Sequence, residues 1–176
     1  IANAILDGAD SLMVTGETAI GKYPTKVIKV LSKVINETES SINYGEYSKW
    51  STNKERNTAN AISHAACAVS RSQRIGVLAT MTHSGYTARM AARYRPASKI
   101  VAMTPFKKTC RKLAIVWGVS PVLVRDYKSA DEIPEVANDE LQKLGLIKKG
   151  ESFVITGGVP VGISGTTNYL TVLTGN

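Results

Sequence analysis

Short apolar runs alternate along this chain with longer stretches whose apolar residues recur every three or four positions, which predicts strands separated by helices. Val27, Val30, Leu31, Val34 and Ile35 make one helical stripe behind Pro24, with Lys26, Lys29 and Lys33 on the opposite face. Ahead of it, residues 1–10 read as a helix end and a turn, Ser11-Leu12-Met13-Val14 as a strand, and Thr15-Gly16-Glu17-Thr18 as the loop leaving that strand. Residues 40–57 turn polar, rich in Ser, Thr, Asn, Tyr and Lys, and suit a connection or a short exposed helix.

The pattern then becomes regular. A helix over 58–70 leads to a strand over 74–79, a helix over 88–94 and a strand over 99–103. A helix over 107–116 stops at Gly118, and Pro121-Val122-Leu123-Val124 supplies a third strand. A helix over 130–144 ends at Gly145, followed by strands over 152–156 and 169–173. This order predicts a three-layer α/β/α sandwich with a five-stranded, mostly parallel sheet. The return to the last strand contains no helix, so that strand is expected to be antiparallel. With a single strand, residues 1–40 are no domain alone and read as the last βα unit of something larger; 41–57 form a connection and 58–176 the sandwich domain.

Composition narrows the function classes. The 176 residues are 43% apolar, enough for a real core. No apolar run approaches the ~18 residues of a membrane span, and no signal-peptide pattern opens the chain, so a cytoplasmic protein without a membrane partner is expected. Cys67 and Cys110 lack the spacing of a zinc site and read as reduced core residues, with Cys67 on the face of Ile62, Ala65, Ala66 and Val69; His64 beside it reads as surface or interhelical. The formal charge of +8 favours anionic partners: nucleic acid, acidic surfaces or phosphorylated metabolites. An aromatic content of 6% and the lack of a recognisable motif argue against nucleic acid.

Two loops carry candidate chemistry. Thr82-His83-Ser84-Gly85-Tyr86-Thr87 joins a strand to a helix, so backbone N–H groups and the positive helix end would meet at Ser84, Gly85 and Tyr86 and could hold an oxyanion. A plain N-cap by Thr82 or Ser84 accounts for the same residues. The second loop, 157–168, contains Gly162, Ser164, Gly165 and Thr166 and is richer in glycine than a hairpin requires; it could fold over a ligand. Both loops would leave the carboxyl ends of strands, where open α/β sheets collect ligands.

Ala2-Asn3-Ala4-Ile5-Leu6-Asp7-Gly8-Ala9-Asp10 with Thr15-Gly16-Glu17-Thr18-Ala19-Ile20-Gly21-Lys22-Tyr23-Pro24, and Thr82-His83-Ser84-Gly85-Tyr86-Thr87-Ala88-Arg89 with Arg93-Tyr94-Arg95-Pro96, together resemble the C-terminal part of the pyruvate kinase family in its bacterial form. The match extends through Lys149-Gly150 and Gly165-Thr166-Thr167-Asn168. The resemblance implies that residues 1–40 end a (β/α)₈ catalytic barrel and that the remainder is a regulatory and assembly domain. The family's barrel transfers a phosphoryl group from phosphoenolpyruvate to ADP using Mg2+ or Mn2+ and usually K+, with a lysine that stabilises the enolate. Most of that equipment lies outside this chain, which is expected to be inactive alone and to need no cofactor of its own. Thr15, Gly16, Glu17 and Thr18 would border the parent active site, and serine is the family's more frequent residue at Thr15.

By the same resemblance, Thr82 to Thr87 and the glycine-rich loop form an effector site for a phosphorylated small molecule. Members that respond to fructose bisphosphate often carry basic residues in the first loop, where this chain has His83 and Tyr86. The expected ligand is therefore a monophosphate such as AMP, ribose 5-phosphate or another sugar phosphate, and His83 could make its binding pH-dependent. Self-association through the C-terminal domain, within a homotetrameric parent, is also implied. A free-standing sugar-phosphate or nucleotide-binding α/β domain is the alternative, with nucleic-acid binding behind it.

Overall fold

The computed structural model describes residues 1–43, 57–163 and 165–176, so most of the expected connection over 41–57, and Ser164, lie outside the described residues. Two compact units divide the chain, Ile1–Asn43 and Tyr44–Asn176.

The first unit holds helices α1 (Ala2–Leu6), α2 (Gly16–Ala19) and α3 (Pro24–Ser41). Pro24 opens α3 because its missing N–H is an orphan there in any case. The strand expected over Ser11–Val14 is not formed: a strand is held by a neighbouring ladder, and none of the described residues pairs with it. The expected loop at 15–18 is instead the start of α2, with Thr15 at its N-cap. Apolar side chains stay uncovered in this unit, Met13 at 86% and Ile20 at 91% exposure.

In the second unit, helix α4 (Thr58–Ser72) precedes strand β1 (Val77–Met81), helix α5 (Tyr86–Ala92) and strand β2 (Lys99–Thr104). Helix α6 (Lys107–Leu113), strand β3 (Val119–Leu123), helix α7 (Glu132–Lys143), strand β4 (Ser152–Gly157) and strand β5 (Tyr169–Thr174) follow. The side chain of Asn57 accepts the N–H of Asn60 at 2.8 Å and caps α4. The sheet runs β3-β2-β1-β4-β5. β1 is parallel to β2 and β4, β2 is parallel to β3, and β5 is antiparallel to β4 as its helix-free connection demands. Pro121 sits within β3, an edge strand, where a missing N–H is tolerated.

Alternation along the central strands feeds two cores. Val77, Ala79, Met81, Phe153 and Ile155 pack with Ile133, Val136 and Leu141 of α7. Leu78 and Val154 point the other way, onto Ala66 and Cys67 of α4 and Ala91 of α5. Both faces of the sheet are therefore covered, which is why β1, β2 and β4 are almost wholly apolar instead of alternating with polar residues.

Cys67 is a core residue whose Sγ donates to the Ala91 carbonyl at 3.7 Å. Burial pushes its thiol up to about 12, against a smaller opposing pull from Arg71. Because the thiolate is the nucleophile, alkylation of the native chain near neutral pH should be more than about tenfold slower at Cys67 than at half-buried Cys110. Peptide mass spectrometry after timed iodoacetamide treatment reads both rates, and equal rates would contradict this placement.

Candidate functional site

Winding decides where the loops meet. The chain moves outward from β1 through β2 to β3, then crosses back through α7 to set β4 on the other side of β1. The loop leaving β1 leads into α5 while the loop leaving β4 returns to β5 in the same sheet, and a crevice opens between their carboxyl ends, the topological switch point of an open α/β sheet. Residues 82–85 follow β1 and residues 158–168 follow β4, so both candidate loops emerge there.

The first loop is tightly tied. The Thr82 hydroxyl accepts the Gly85 N–H at 2.9 Å, and the Thr82 N–H donates to the Met103 carbonyl at 3.0 Å. Gly85 takes φ +85, a left-handed value that costs other residues energy, and a Cβ there would lie 2.8 Å from an Arg89 guanidinium nitrogen. Arg89, part of the family motif but not of the expected site residues, donates from that nitrogen to the Ser84 carbonyl at 3.2 Å. Helix α5 starts at Tyr86 with Gly85 as its N-cap and no side-chain cap. Thr82 thus serves the turn itself and leaves the first turn of the helix without a side-chain acceptor.

Buried Thr87 links the two loops: its hydroxyl is 2.9 Å from that of buried Thr167. Asn168 clasps the base of the second loop, accepting the Val159 N–H at 2.8 Å and donating to the Val159 carbonyl at 2.6 Å. Within the loop, Thr166 donates to the Ile163 carbonyl at 2.8 Å.

Between the loops lies a cleft of about 320 Å³ including its open mouth, bordered by Thr82, His83, Ser84, Tyr86 and Thr87 on one side and by Gly158, Val161, Gly162, Ile163, Gly165 and Thr166 on the other. Gly85 shapes the turn without lining the cleft. Tyr127 forms part of the wall and was not anticipated. It lies beyond β3, at the same carboxyl end of the sheet, but no motif marks it. Its ring stacks on His83 at 5.3 Å with planes 18° apart, while Phe106 meets His83 edge-on at 5.4 Å. The Thr109 hydroxyl donates to the His83 carbonyl at 2.8 Å, which ties α6 to the loop.

Burial pushes the Tyr127 phenol up to about 12, with the neighbouring Asp126 carboxylate adding to the shift. Tyr127 is therefore a neutral wall. Asp126 is held below the usual carboxylate range chiefly by its hydrogen bond from Lys128.

Thr15, Gly16, Glu17 and Thr18 form a separate turn in the first unit. The Thr18 hydroxyl donates to the Val14 carbonyl at 3.0 Å, and the Ala19 N–H to the Thr15 carbonyl at 2.8 Å. Gly16 has open space where a Cβ would lie, and Glu17 is exposed. Among the described residues no group of three or more His, Cys, Asp or Glu side chains is placed to hold a metal ion, so the divalent ion implied by the family resemblance has no ligand set there. No helix among the described residues is long and apolar enough to cross a membrane.

An open, doubly wound α/β domain with a loop-lined cleft at its switch point is the class that the second unit defines. The chain belongs to the pyruvate kinase family, whose "Pyruvate kinase, alpha/beta domain" profile matches residues 60–173. It is 38% identical over 173 residues to the pyruvate kinase of Clostridium acetobutylicum, covering 98% of this chain and 37% of that protein. The Thermotoga maritima pyruvate kinase is 42% identical over 173 residues, covering 98% of this chain and 36% of the relative. Among solved structures, a pyruvate kinase from Cryptosporidium parvum aligns with a TM-score of 0.85 at 27% identity, over 99% of this chain and 35% of that one. The chain thus spans little more than a third of the length of these relatives.

Proposed function

We propose that residues 58–176 are the regulatory and assembly domain of a cytoplasmic, homotetrameric pyruvate kinase, and that residues 1–40 end its catalytic barrel. The whole enzyme transfers a phosphoryl group from phosphoenolpyruvate to ADP, with Mg2+ or Mn2+ and K+ held by other parts of the protein. In this reading the 176 residues alone do not turn over substrate. Thr15 to Thr18 border the parent active site.

The observation that carries the regulatory part is the convergence of the two loops on one hydroxyl-lined cleft. A phosphate there would be held by the N–H groups of the first turn of α5 and by the hydroxyls of Thr82, Ser84 and Thr87. Each charge-assisted bond contributes about 1.5 to 3 kcal/mol. The cleft is lined by His83 and Tyr86 where a bisphosphate would need fixed cations, which favours a monophosphate such as AMP or ribose 5-phosphate. For assembly, β5 closes the sheet with β4 as its one partner among the described residues, and its outer edge offers backbone groups to a second copy.

Ser84→Ala combined with Thr87→Ala should lower ribose 5-phosphate affinity by about 10- to 100-fold, the loss of one or two such bonds. Calorimetric titration measures it, and circular dichroism checks that the fold survives losing the Thr87–Thr167 bond. Unchanged affinity would put the ligand elsewhere. Parallel titrations with AMP, fructose bisphosphate and duplex DNA separate the readings: binding of DNA alone, steeply weakened by salt, would overturn the effector assignment.

A further inference from the structure

His83 is the one residue lining the cleft, among those described, whose side chain can carry a positive charge. Its ring is fixed rather than free to swing, stacked on Tyr127 and met edge-on by Phe106, while its backbone carbonyl is held by Thr109. Charged groups stand near it on the elements around the loop. Asp126 is next to Tyr127 in the chain, and Arg89 of α5 donates to the Ser84 carbonyl beside it. Lys128 partly neutralises Asp126, and exposed Lys107 and Lys108 open α6, the helix that carries Thr109. On its own loop the titratable neighbour is Tyr86. Across the cleft, the described lining residues Gly158, Val161, Gly162, Ile163, Gly165 and Thr166 are all neutral. An anion entering this cleft therefore meets neutral groups from every described lining residue except His83.

We propose that His83 couples anion binding in this cleft to proton uptake, so that a phosphorylated ligand binds more tightly below neutral pH than above it. This rests on the effector reading of the cleft. An anion beside the ring favours the protonated imidazole, and by linkage the protonated ring favours the anion equally. Histidine is the side chain that ordinarily changes charge in the physiological pH range. A fixed lysine at this position would make the site permanently cationic. Histidine makes its occupancy report acidity as well as ligand concentration.

Phosphate esters themselves titrate near neutrality, so the probe is inorganic sulfate, which keeps its charge. Calorimetry on the whole chain should give affinity about tenfold higher near pH 5.5 than near pH 8.5, a tenfold change being one pH unit of linkage. Heats measured in buffers of different ionisation enthalpy should show uptake peaking at about half a proton per sulfate at intermediate pH, the maximum that a tenfold linkage allows. His83→Gln should abolish both effects while keeping the weaker high-pH affinity. The chain has two histidines, and His64→Gln, on α4 against Tyr94, should leave both effects in place. Sulfate binding that does not change with pH, or a pH effect that persists in His83→Gln, overturns the inference and leaves the effector site standing. Failure of both sulfate and ribose 5-phosphate to bind at any pH removes the site itself, and this coupling with it.

Discussion

Replacing Phe153 with alanine is expected to destabilise the second unit by about 3 to 5 kcal/mol. Phe153 lies at the start of β4, fully buried, and is the largest of the completely enclosed side chains. Its ring packs in the cluster that joins Ala79 and Met81 of β1 to Ile133 and Leu141 of α7. β4 is hydrogen-bonded on both sides, to β1 and to β5, so the backbone around Phe153 cannot close in on the space left behind. The cost then includes a cavity as well as the lost burial of the ring. Domains of this size hold about 5 to 15 kcal/mol in reserve, so the variant should remain folded only narrowly if at all. Urea denaturation of wild type and variant measures the difference. A change below about 1.5 kcal/mol, the size of a well-accommodated swap, would mean that this core can repack.

Gly158→Ala should weaken ribose 5-phosphate binding by more than about tenfold while shifting the urea midpoint little, because partly buried Val161 is what the loop's described residues add to a main core. A Cβ on Gly158 would lie 2.1 Å from the Thr166 carbonyl oxygen and 2.8 Å from the Thr166 hydroxyl. The first of these atoms is backbone and cannot rotate away. Room for the methyl group comes only by lifting the second loop off Gly158, which carries Gly162 and Thr166 away from the opposite loop. Gly162→Ala is the informative contrast, since open space surrounds its added Cβ and its φ of +91 is the only obstacle. It should cost roughly 1 kcal/mol or slightly more and affect binding less. Should Gly158→Ala bind ribose 5-phosphate as tightly as wild type, the second loop takes no part in holding the ligand. Calorimetry on the two variants side by side makes the comparison.

Much of the sandwich was legible because its strands and helices carry different periods. The runs around Leu78, Ile100 and Val154 are short and apolar throughout, and the segments between them repeat every three or four residues. Boundaries moved where one local force overruled another. Helix α5 begins at Tyr86, two residues ahead of its helix-forming composition, because Gly85 takes the left-handed N-cap position. β3 begins at Val119, ahead of Pro121, because its missing N–H can face the open edge. The first unit shows the opposite case: Leu12 to Val14 have strand-like composition, but composition supplies no ladder partner.

Of the candidate site, the two loops were readable and their walls were not. Thr82, Ser84, Gly85 and Thr87 announce a turn ahead of a helix, and Gly162 and Gly165 announce a pliable connection. Tyr127, Phe106 and Thr109 carry no such mark, and Arg89 stands in the family motif without being marked as a site residue. Tyr127 reaches the cleft through winding because β3 ends beside β2, and Phe106 and Thr109 because α6 follows β2; Arg89 reaches the loop locally, one turn along α5 from Gly85.

The amino-acid sequence by itself determined the order of the elements, the apolar faces that build the sheet and its covering helices, the antiparallel last strand and the family. These follow from periodicity, turn chemistry and local motifs, all short-range in the chain. Tertiary structure alone decided that the loops after β1 and β4 share one cleft, that Thr82 closes its own turn instead of capping α5, and that His83 stands stacked on Tyr127 in the wall of that cleft. Those outcomes depend on contacts between residues as distant as Thr87 and Thr167, 80 positions apart, which come together only once β4 has inserted beside β1.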